Sequence, residues 1–492
     1  MKWLTTRAPI LLLHFITLGL CAVALYVYRL PPTLTAIPEE GSAESQWWGL
    51  WPVTYLSPTV FLSGLAIILL TASLLWYFTL PEAPRATTNN AHPSSHRHLS
   101  QWPYFLLTAG FIGAFYAFPI SHTRWGDAYI LTKAIAHPDP AIRLSYSWQA
   151  PLDLFLHSQV WRYFHDNRGW QDAMPVYHLL SPVAGLLYLS AAAVTSKASA
   201  RYTATPQWLS FGLVTSLGVM QLFFGYIENY SYAAAGILLY LGLGLLTLRQ
   251  QCPLWVAALA LAITNAFHPS TIVYWPAMLW LSWQDISRRN KGWHSSVYQV
   301  LLPPLLVVAG TVILMEWGGH GIVTLFTTDR PGGGDARWLV PLWATTTRWE
   351  RYTMFSWPHL RDLLNEQLLV GPILLPTLLA AWLSWRLWRQ PEENHFTKDK
   401  AKSGLEYIVF LAIGTVCHLL LIWLWNPDYG GQRDWDLFSL AMIPTALLVA
   451  HMLPRLIANP RVLLAGMIPL LMLQYAQLAT WIYQNTLRWV WP

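Results

Sequence analysis

The stretch PILLLHFITLGLCAVALYVYR, residues 9–29, decides the fold class of this chain. Its only charged residue is Arg29, at the very end. A helix of about 20 apolar residues crosses a hydrocarbon core about 30 Å thick, and it satisfies its own backbone hydrogen bonds there. The stretch is too long for the apolar core of a signal peptide, and no small-residue cleavage pattern follows it. It therefore predicts a membrane-spanning helix that remains as an anchor.

Further runs of the same kind occupy much of the remaining sequence, in which 54% of residues are hydrophobic and 11% are charged. They predict an all-α fold, a polytopic transmembrane helical bundle of about 13 helices with short extracytoplasmic surface helices. The further runs lie at residues 52–78, 102–119, 175–195, 207–225, 230–248, 253–267, 269–283, 298–315, 368–385, 406–425, 437–453 and 462–484.

The distribution of charge between the two sides predicts the orientation. If the amino terminus is cytoplasmic and the chain alternates, every cytoplasmic segment is net basic and the outer segments are net acidic. Cytoplasmic loops of membrane proteins carry such an excess of Lys and Arg. We therefore expect a multi-pass protein of the plasma (inner) membrane, with a cytoplasmic amino terminus. The net charge of +6 is explained by this topology, and no nucleic-acid partner is predicted.

Four polar stretches from distant parts of the chain fall on the predicted outer side. A single ionisable residue at the end of a span often only reaches towards water. Four such polar breaks lie on one face, whereas the cytoplasmic turns carry no comparable motifs. This asymmetry favours a functional site on the outer face. The stretches are RWGDAY at 124–129, GYIENY at 225–230, NAFHPS at 265–270 and NPDYGGQRDWD at 426–436.

The order of these motifs resembles the GT-C superfamily of polytopic membrane glycosyltransferases. Gly-Asp at 126–127 follows an early span, and QAPLD at 149–153 leads a surface helix. The similarity continues through FFG at 223–225 to HPS at 268–270, and RDWDLF at 433–438 is similar to a carboxy-terminal motif of bacterial members. The resemblance covers roughly residues 100–285.

This resemblance implies an activity, a substrate and an organisation of the chain. Members use a lipid-linked sugar donor, usually a polyprenyl phosphate or diphosphate, and an acidic residue in the first large outer loop, here Asp127. The acceptor is a glycan, a lipid or a protein, and the site is extracytoplasmic. The chain is then a single integral membrane domain, 1–492. It comprises a two-span hairpin with a cytoplasmic loop at 1–101, the GT-C-like core at 102–285, and further spans with a long outer loop, 316–367, at 286–492.

The chemistry of sugar transfer assigns roles to the polar residues. A carboxylate takes the proton of the acceptor hydroxyl, and Asp127 is the candidate base. Cations stabilise the departing phosphate, since Arg pairs well with phosphate, although outer Arg residues could equally pair with outer acids. We predict the catalytic residues Asp127, Glu228 and His268, and the substrate-binding residues Arg124, Arg433, Asp434, Asp436, Tyr226, Arg330 and Arg337.

The sequence leaves alternatives open for the use of a metal ion and for the class of function. A divalent metal is possible, held by Asp127 together with Glu228 or Asp436, but the chain carries one acid where the superfamily often has an adjacent acidic pair. The competing class is a non-enzymatic polytopic lipid or solute transporter, which typically buries ionisable groups near the bilayer midplane. An assembly subunit without activity of its own is a third hypothesis.

Overall fold

The computed structural model describes residues 2–33, 40–79, 101–203, 205–289, 293–327, 337–388, 398–457 and 459–488. Within this part of the chain the secondary structure is helical, and the one β-type pairing is an isolated bridge between Leu339 and Trp425. The predicted cytoplasmic loop near 80–100 and the predicted phosphate ligand Arg330 lie outside the described residues. The all-α prediction is confirmed for the described chain.

Nineteen α-helices and three 3-10 helices make up this fold within the described ranges. The α-helices are α1 Lys2–Tyr28, α2 Ala43–Trp47, α3 Pro58–Phe78, α4 Trp102–Ala117, α5 Ala128–Ile135, α6 Pro151–Arg168, α7 Met174–Tyr202, α8 Gln207–Thr215, α9 Ser231–Leu248, α10 Leu254–Phe267, α11 Trp275–Arg289, α12 Trp293–Trp317, α13 Ile322–Thr327, α14 Trp357–Val370, α15 Leu374–Trp388, α16 Lys398–Leu424, α17 Trp435–Ser439, α18 Met442–Leu456 and α19 Pro460–Thr486. The 3-10 helices are Trp51–Tyr55, Gly218–Phe223 and Pro269–Tyr274.

Eight helices in the described ranges are long and apolar enough to cross a membrane, as expected of a multi-pass membrane protein. The number becomes nine if α14 and α15, which meet at an angle of 101°, form one broken span. The predicted count of about 13 crossings is not confirmed by these helices. Helices α4, α10, α11 and α15 have only 14–16 residues, a length of about 21–24 Å at 1.5 Å per residue.

The run predicted at 207–225 shows why hydropathy alone overestimates regular span length. Helix α8 ends at Thr215, and the chain continues as the 3-10 helix Gly218–Phe223. The Cβ of any larger residue at Gly218 would lie 2.6 Å from the backbone oxygen of Leu369. The chain therefore passes close to the end of α14 at this break, and glycine permits the approach.

The buried core surrounds α9 and the carboxy-terminal helices. Almost all of Trp435–Leu456 is buried inside the fold, whereas few residues of α12 are buried. A predominantly apolar helix with so little buried surface is expected to face lipid. The centre of the bundle is therefore formed by α7, α9 and α18, and α12 lies at its periphery.

Helix α6 forms where the QAPLD motif predicts a surface helix, but two of its polar residues point into the protein. Asp153 and His157 are buried, whereas Tyr163 is exposed. His157 Nδ1 lies 3.1 Å from the Asp153 carboxylate. Gly169, at a φ of 68°, ends the helix in the left-handed conformation that favours glycine. The helix thus contributes a buried pair of an acid and a histidine.

Candidate functional site

Hydrogen bonds donated by two adjacent backbone amides join three of the four predicted polar stretches. The amide of Gly126 donates to the carbonyl oxygen of Arg433 at 2.8 Å, and the next amide, of Asp127, donates to the Glu228 carboxylate. Gly126 has a φ of 46°, and a Cβ at this position would lie 2.2 Å from Glu228 Oε1 and 3.4 Å from Asp436 Oδ2. A glycine is therefore required where these segments meet.

Four carboxyl groups interact at this junction. Burial raises the pKa of Glu228 well above its usual range, and the charges of Asp436 and Asp127 raise it further. Burial also raises the pKa of Asp434, against the effect of the Tyr429 amide, which donates to Asp434 Oδ2 at 3.0 Å. Burial therefore shifts Glu228 and Asp434 towards their protonated, hydrogen-bond-donating forms.

Asp127 differs from these acids in its partners and its accessibility. Its side chain is half-buried, at the start of α5. It accepts a hydrogen bond from Gln149 Nε2 at 3.4 Å and shares one with the Tyr429 hydroxyl. Burial and Asp127 together raise the pKa of Tyr429, so the phenol remains a donor. Neutral donors thus orient the Asp127 carboxylate, as a general base requires.

Aromatic rings enclose the acidic cluster on the side of the 225–230 and 265–270 stretches. The Tyr226 ring lies edge-on to Trp435 with centroids 5.3 Å apart, and Tyr226 and Asp436 share a side-chain hydrogen bond. Further along, the Tyr230 and His268 rings lie 4.5 Å apart. These rings are buried and pack against one another beside the acids.

His268 is buried and held by its own loop. Its Nδ1 lies 2.8 Å from the Ser270 hydroxyl, and burial lowers the pKa of the imidazole to about 3. The ring is therefore neutral at physiological pH. The His268 ring contacts Tyr230, and Tyr230 interacts electrostatically with both Asp436 and Glu228. Burial raises the pKa of the Tyr230 hydroxyl.

Arg433 is the predicted cation that reaches the cluster with its charge uncompensated. Its guanidinium lies 5.2 Å from the centroid of the Tyr429 ring, and its buried Nε has no hydrogen-bond partner. Among the residues the structure describes, Arg433 forms no ion pair. A guanidinium without an ion-pair partner is suited to bind a phosphate.

Arg124 lies near the cluster but is paired with an acid. Its guanidinium forms a buried ion pair with Glu44 and lies 4.9 Å from the centroid of the Trp125 ring. Gln432 Nε2 also donates a hydrogen bond to Glu44. The structure thus places Arg124 in a contact that ties α2, which carries Glu44, to the 426–436 stretch.

Arg337 is a further predicted cation, and the structure places it on an exposed segment. Its backbone oxygen accepts a hydrogen bond from Asn426 Nδ2 at 3.3 Å. Its charge helps to lower the pKa of Glu350, after the stronger effect of the Thr346 amide. Arg330 lies outside the described residues. The phosphate-binding roles of Arg337 and Arg330 stay predictions.

A metal site is not formed by the described side chains as they stand. Within the described ranges, no group of three or more His, Cys, Asp and Glu residues is arranged to hold a metal ion. The hypothesis of a divalent metal at Asp127 with Glu228 or Asp436 stays a prediction.

Sequence analysis missed a second polar layer behind the cluster. The His157 ring stacks on Tyr177 with centroids 4.3 Å apart, and Tyr177 interacts electrostatically with Asp153, Glu228 and Asp127. Burial lowers the pKa of His157, but the Asp153 charge and hydrogen bonds outweigh it and raise the pKa overall. The i, i+4 spacing of Asp153 and His157 is the one sequence signal that could have indicated this pair.

Glu44 was also missed, since its partner Arg124 is distant in sequence and no local pattern marks it.

Comparisons with protein-family models, curated proteins and solved structures found no match to this chain.

Proposed function

We propose that this protein is a membrane glycosyltransferase that moves a sugar from a polyprenyl-phosphate donor to an acceptor on the extracytoplasmic side. The observation that carries the proposal is the meeting of Asp127, Glu228 and Arg433 from three distant segments. These groups supply a base, a hydrogen-bond donor and a cation, the three functions that transfer from a lipid phosphate needs.

The chemistry is a single displacement at the anomeric carbon. The acceptor oxygen attacks this carbon while Asp127 takes the hydroxyl proton. The bond between the anomeric carbon and the phosphate oxygen breaks, and its electron pair leaves with the phosphate. Arg433 stabilises the charge that develops on the leaving group. Protonated Glu228 and Asp434 donate hydrogen bonds to sugar hydroxyls, and Tyr226 holds Asp436 in place through their side-chain hydrogen bond.

A lipid-linked donor is supported by an apolar cavity of about 960 Å³ beside α14. Residues of α1, α2, α14, α15 and α18 line it, and the α2 residue is Trp47, which immediately precedes Trp48. Trp48 Nε1 and the Gly431 amide both donate to Asp362 on α14, at 3.0 and 3.3 Å. Helix α14 therefore lies between this cavity and the loop that carries Arg433. This arrangement suits a donor whose isoprenoid chain occupies the cavity and whose phosphate head reaches Arg433.

The topology belongs to the same proposal. The proposed chain makes about 13 crossings, counting the short helices α4, α10 and α11 and the broken α8. The excess of Lys and Arg in the predicted cytoplasmic segments supports a plasma (inner) membrane protein with a cytoplasmic amino terminus and the acidic cluster outside. A divalent metal stays compatible with the proposal, with Asp127 and either Glu228 or Asp436 as its oxygen ligands.

One observation favours the transporter alternative. Helices α14 and α15 meet at 101°, and the buried Glu366 has a carboxylate oxygen without a hydrogen-bond partner near this bend. Broken helices with buried ionisable groups are typical of transporter ion sites. Under this alternative Glu366 is essential and Asp127 is not.

The test is a transfer assay with the purified protein in vesicles of phosphatidylethanolamine and phosphatidylglycerol, supplied with membrane extract and a radiolabelled sugar on polyprenyl phosphate. We expect label to leave the donor, and the Glu366→Gln variant to retain most of this activity. A transporter would leave the donor intact and lose solute or lipid movement in Glu366→Gln. That result would contradict the proposal.

A further inference from the structure

A second apolar groove lies between α7, α9 and α10, formed by none of the helices that line the cavity beside α14. Its volume is about 370 Å³. Its floor includes the buried residues Ala191, Ala235 and Gly242, and its rim includes the exposed Val194 and Leu239. The groove therefore opens sideways, away from the bundle core.

Close helix packing closes the floor of this groove. A Cβ at Gly236 would lie 2.3 Å from Thr264 Oγ1, and one at Gly242 would lie 2.2 Å from Thr195 Oγ1. Glycine thus lets α9 approach α10 and α7 directly. A ligand in the groove would lie along the outside of α9 and would not pass between the helices.

The depth of the groove defines what can occupy it. Helices α7 and α9 are both long and apolar enough to span the membrane, so the groove runs at the level of the hydrocarbon core. An apolar groove at that depth is filled by a hydrocarbon chain. Its lining of Leu, Val, Ala and Gly side chains suits such a chain.

The upper end of the groove leads to the acidic cluster. Tyr232 and Phe267, which line the groove, stack with ring centroids 4.9 Å apart. Phe267 precedes His268, whose ring lies against Tyr230, a neighbour of Glu228. The groove is therefore linked to the acidic cluster through Phe267, His268 and Tyr230. The cavity beside α14 is linked to the same cluster through Asp362 and Gly431.

We infer that the acceptor is itself a membrane lipid, with its chain in the groove between α7, α9 and α10 and its hydroxyl at Asp127. This inference rests on the proposed function, because the cavity beside α14 is assigned to the donor. The displacement is unchanged: the lipid hydroxyl loses its proton to Asp127, and the polyprenyl phosphate leaves. The product is a glycolipid that remains in the membrane.

The experiment uses membranes from cells that express the full chain, incubated with radiolabelled sugar on polyprenyl phosphate. Products are partitioned between chloroform–methanol, water and precipitated protein. Mild acid then releases sugar from the phosphate-linked donor, whereas a lipid glycoside survives it. We expect acid-stable label in the organic phase.

Two substitutions on α7 form a matched pair. Ser190→Phe fills the groove, and Leu186→Phe adds the same ring at an exposed position one turn away that does not line it. We expect Ser190→Phe to reduce acid-stable organic label by roughly ten-fold, since it displaces buried methylene groups of the acceptor, while Leu186→Phe changes it by less than about two-fold.

Other outcomes would overturn the inference in distinguishable ways. Label in the water or protein fraction would preserve sugar transfer but reject a lipid acceptor. Equal activity of the two variants would also reject the groove as the acceptor site. Loss of a dimer in Ser190→Phe, measured by native electrophoresis with activity retained, would make the groove an interface between copies. Label that never leaves the donor would reject the proposed function together with the inference.

Discussion

The backbone amide of Asp127 donates a hydrogen bond to the carboxylate of Glu228, which lies 101 positions further along the chain. This bond fixes the start of α5 against the loop before α9, and it leaves the Asp127 side chain half-buried and directed to other partners. The candidate base and the protonated acid are therefore positioned by the backbone, independently of substrate.

The Gly126 position offers a direct test of this arrangement. Gly126→Ala should lower transfer by roughly a hundred-fold, because the new Cβ would force Glu228 away and misplace Asp127 by an ångström or more. The measurement is initial rate in vesicles at equal protein amounts. Gly169→Ala is the matched control, since Gly169 also has a positive φ but has open space around its Cβ position. Equal losses in both variants would point to backbone strain as the cause.

The raised pKa of Glu228 predicts a pH dependence of stability. The folded chain holds this proton more tightly than the unfolded chain, in which the pKa is about 4.5. The contribution of Glu228 is therefore fully present below pH 4.5 and is lost as pH rises through its folded pKa. Thermal unfolding in detergent should show stability falling from pH 5 to pH 8, and Glu228→Gln should flatten part of that slope. Asp434 and Glu44, whose pKa values burial also raises, contribute to the same slope.

An unchanged slope in Glu228→Gln would show that this carboxyl is ionised in the folded protein. The role of Glu228 as a hydrogen-bond donor would then be wrong.

The buried pair of Arg124 and Glu44 should behave as a structural contact. Removing one partner leaves an uncompensated buried charge, which typically costs about 3–5 kcal/mol, so Arg124→Met should lower the melting temperature markedly. Combining it with Glu44→Leu should restore much of the loss. If Arg124→Met instead remains stable and loses donor affinity, Arg124 binds phosphate as the sequence first indicated.

Arg433 should determine how well the donor binds. Arg433→Ala removes a charged contact worth about 1.5–3 kcal/mol and should raise the donor KM or lower kcat/KM by roughly ten- to a hundred-fold. Arg433→Lys should retain part of the effect, because it keeps the charge without the planar fork. The exposed Arg348→Ala is the control and should match the unmodified protein. A normal donor KM in Arg433→Ala would exclude this residue from phosphate binding.

Hydropathy predicted the helical fold well because an apolar run needs no partner to be recognised. Hydropathy did not predict where regular helix ends within a run. In the run at 207–225 the α-helix ends at Thr215, and Gly218 then packs against the end of α14. Composition does not encode this tertiary contact. The number of crossings therefore could not be fixed from run lengths.

The site was predictable in part for a similar reason. Polar segments between apolar runs can be recognised from local composition alone, and such segments contain Asp127, Glu228 and Arg433. The partner of each side chain was not identifiable. Arg124 and Arg433 look alike in sequence, yet only Arg124 finds a buried acid, because the segment carrying Glu44 folds against it.

The central claim is that the Asp127 carboxylate accepts the acceptor proton during sugar transfer, and one measurement tests it most directly. Transfer of radiolabelled sugar from polyprenyl phosphate is measured with Asp127→Asn and, as control, Asp139→Asn, which removes an exposed carboxylate that bonds only its own loop. The account predicts a loss of roughly 10²–10⁴-fold for Asp127→Asn alone. Full activity in a folded Asp127→Asn variant would contradict it.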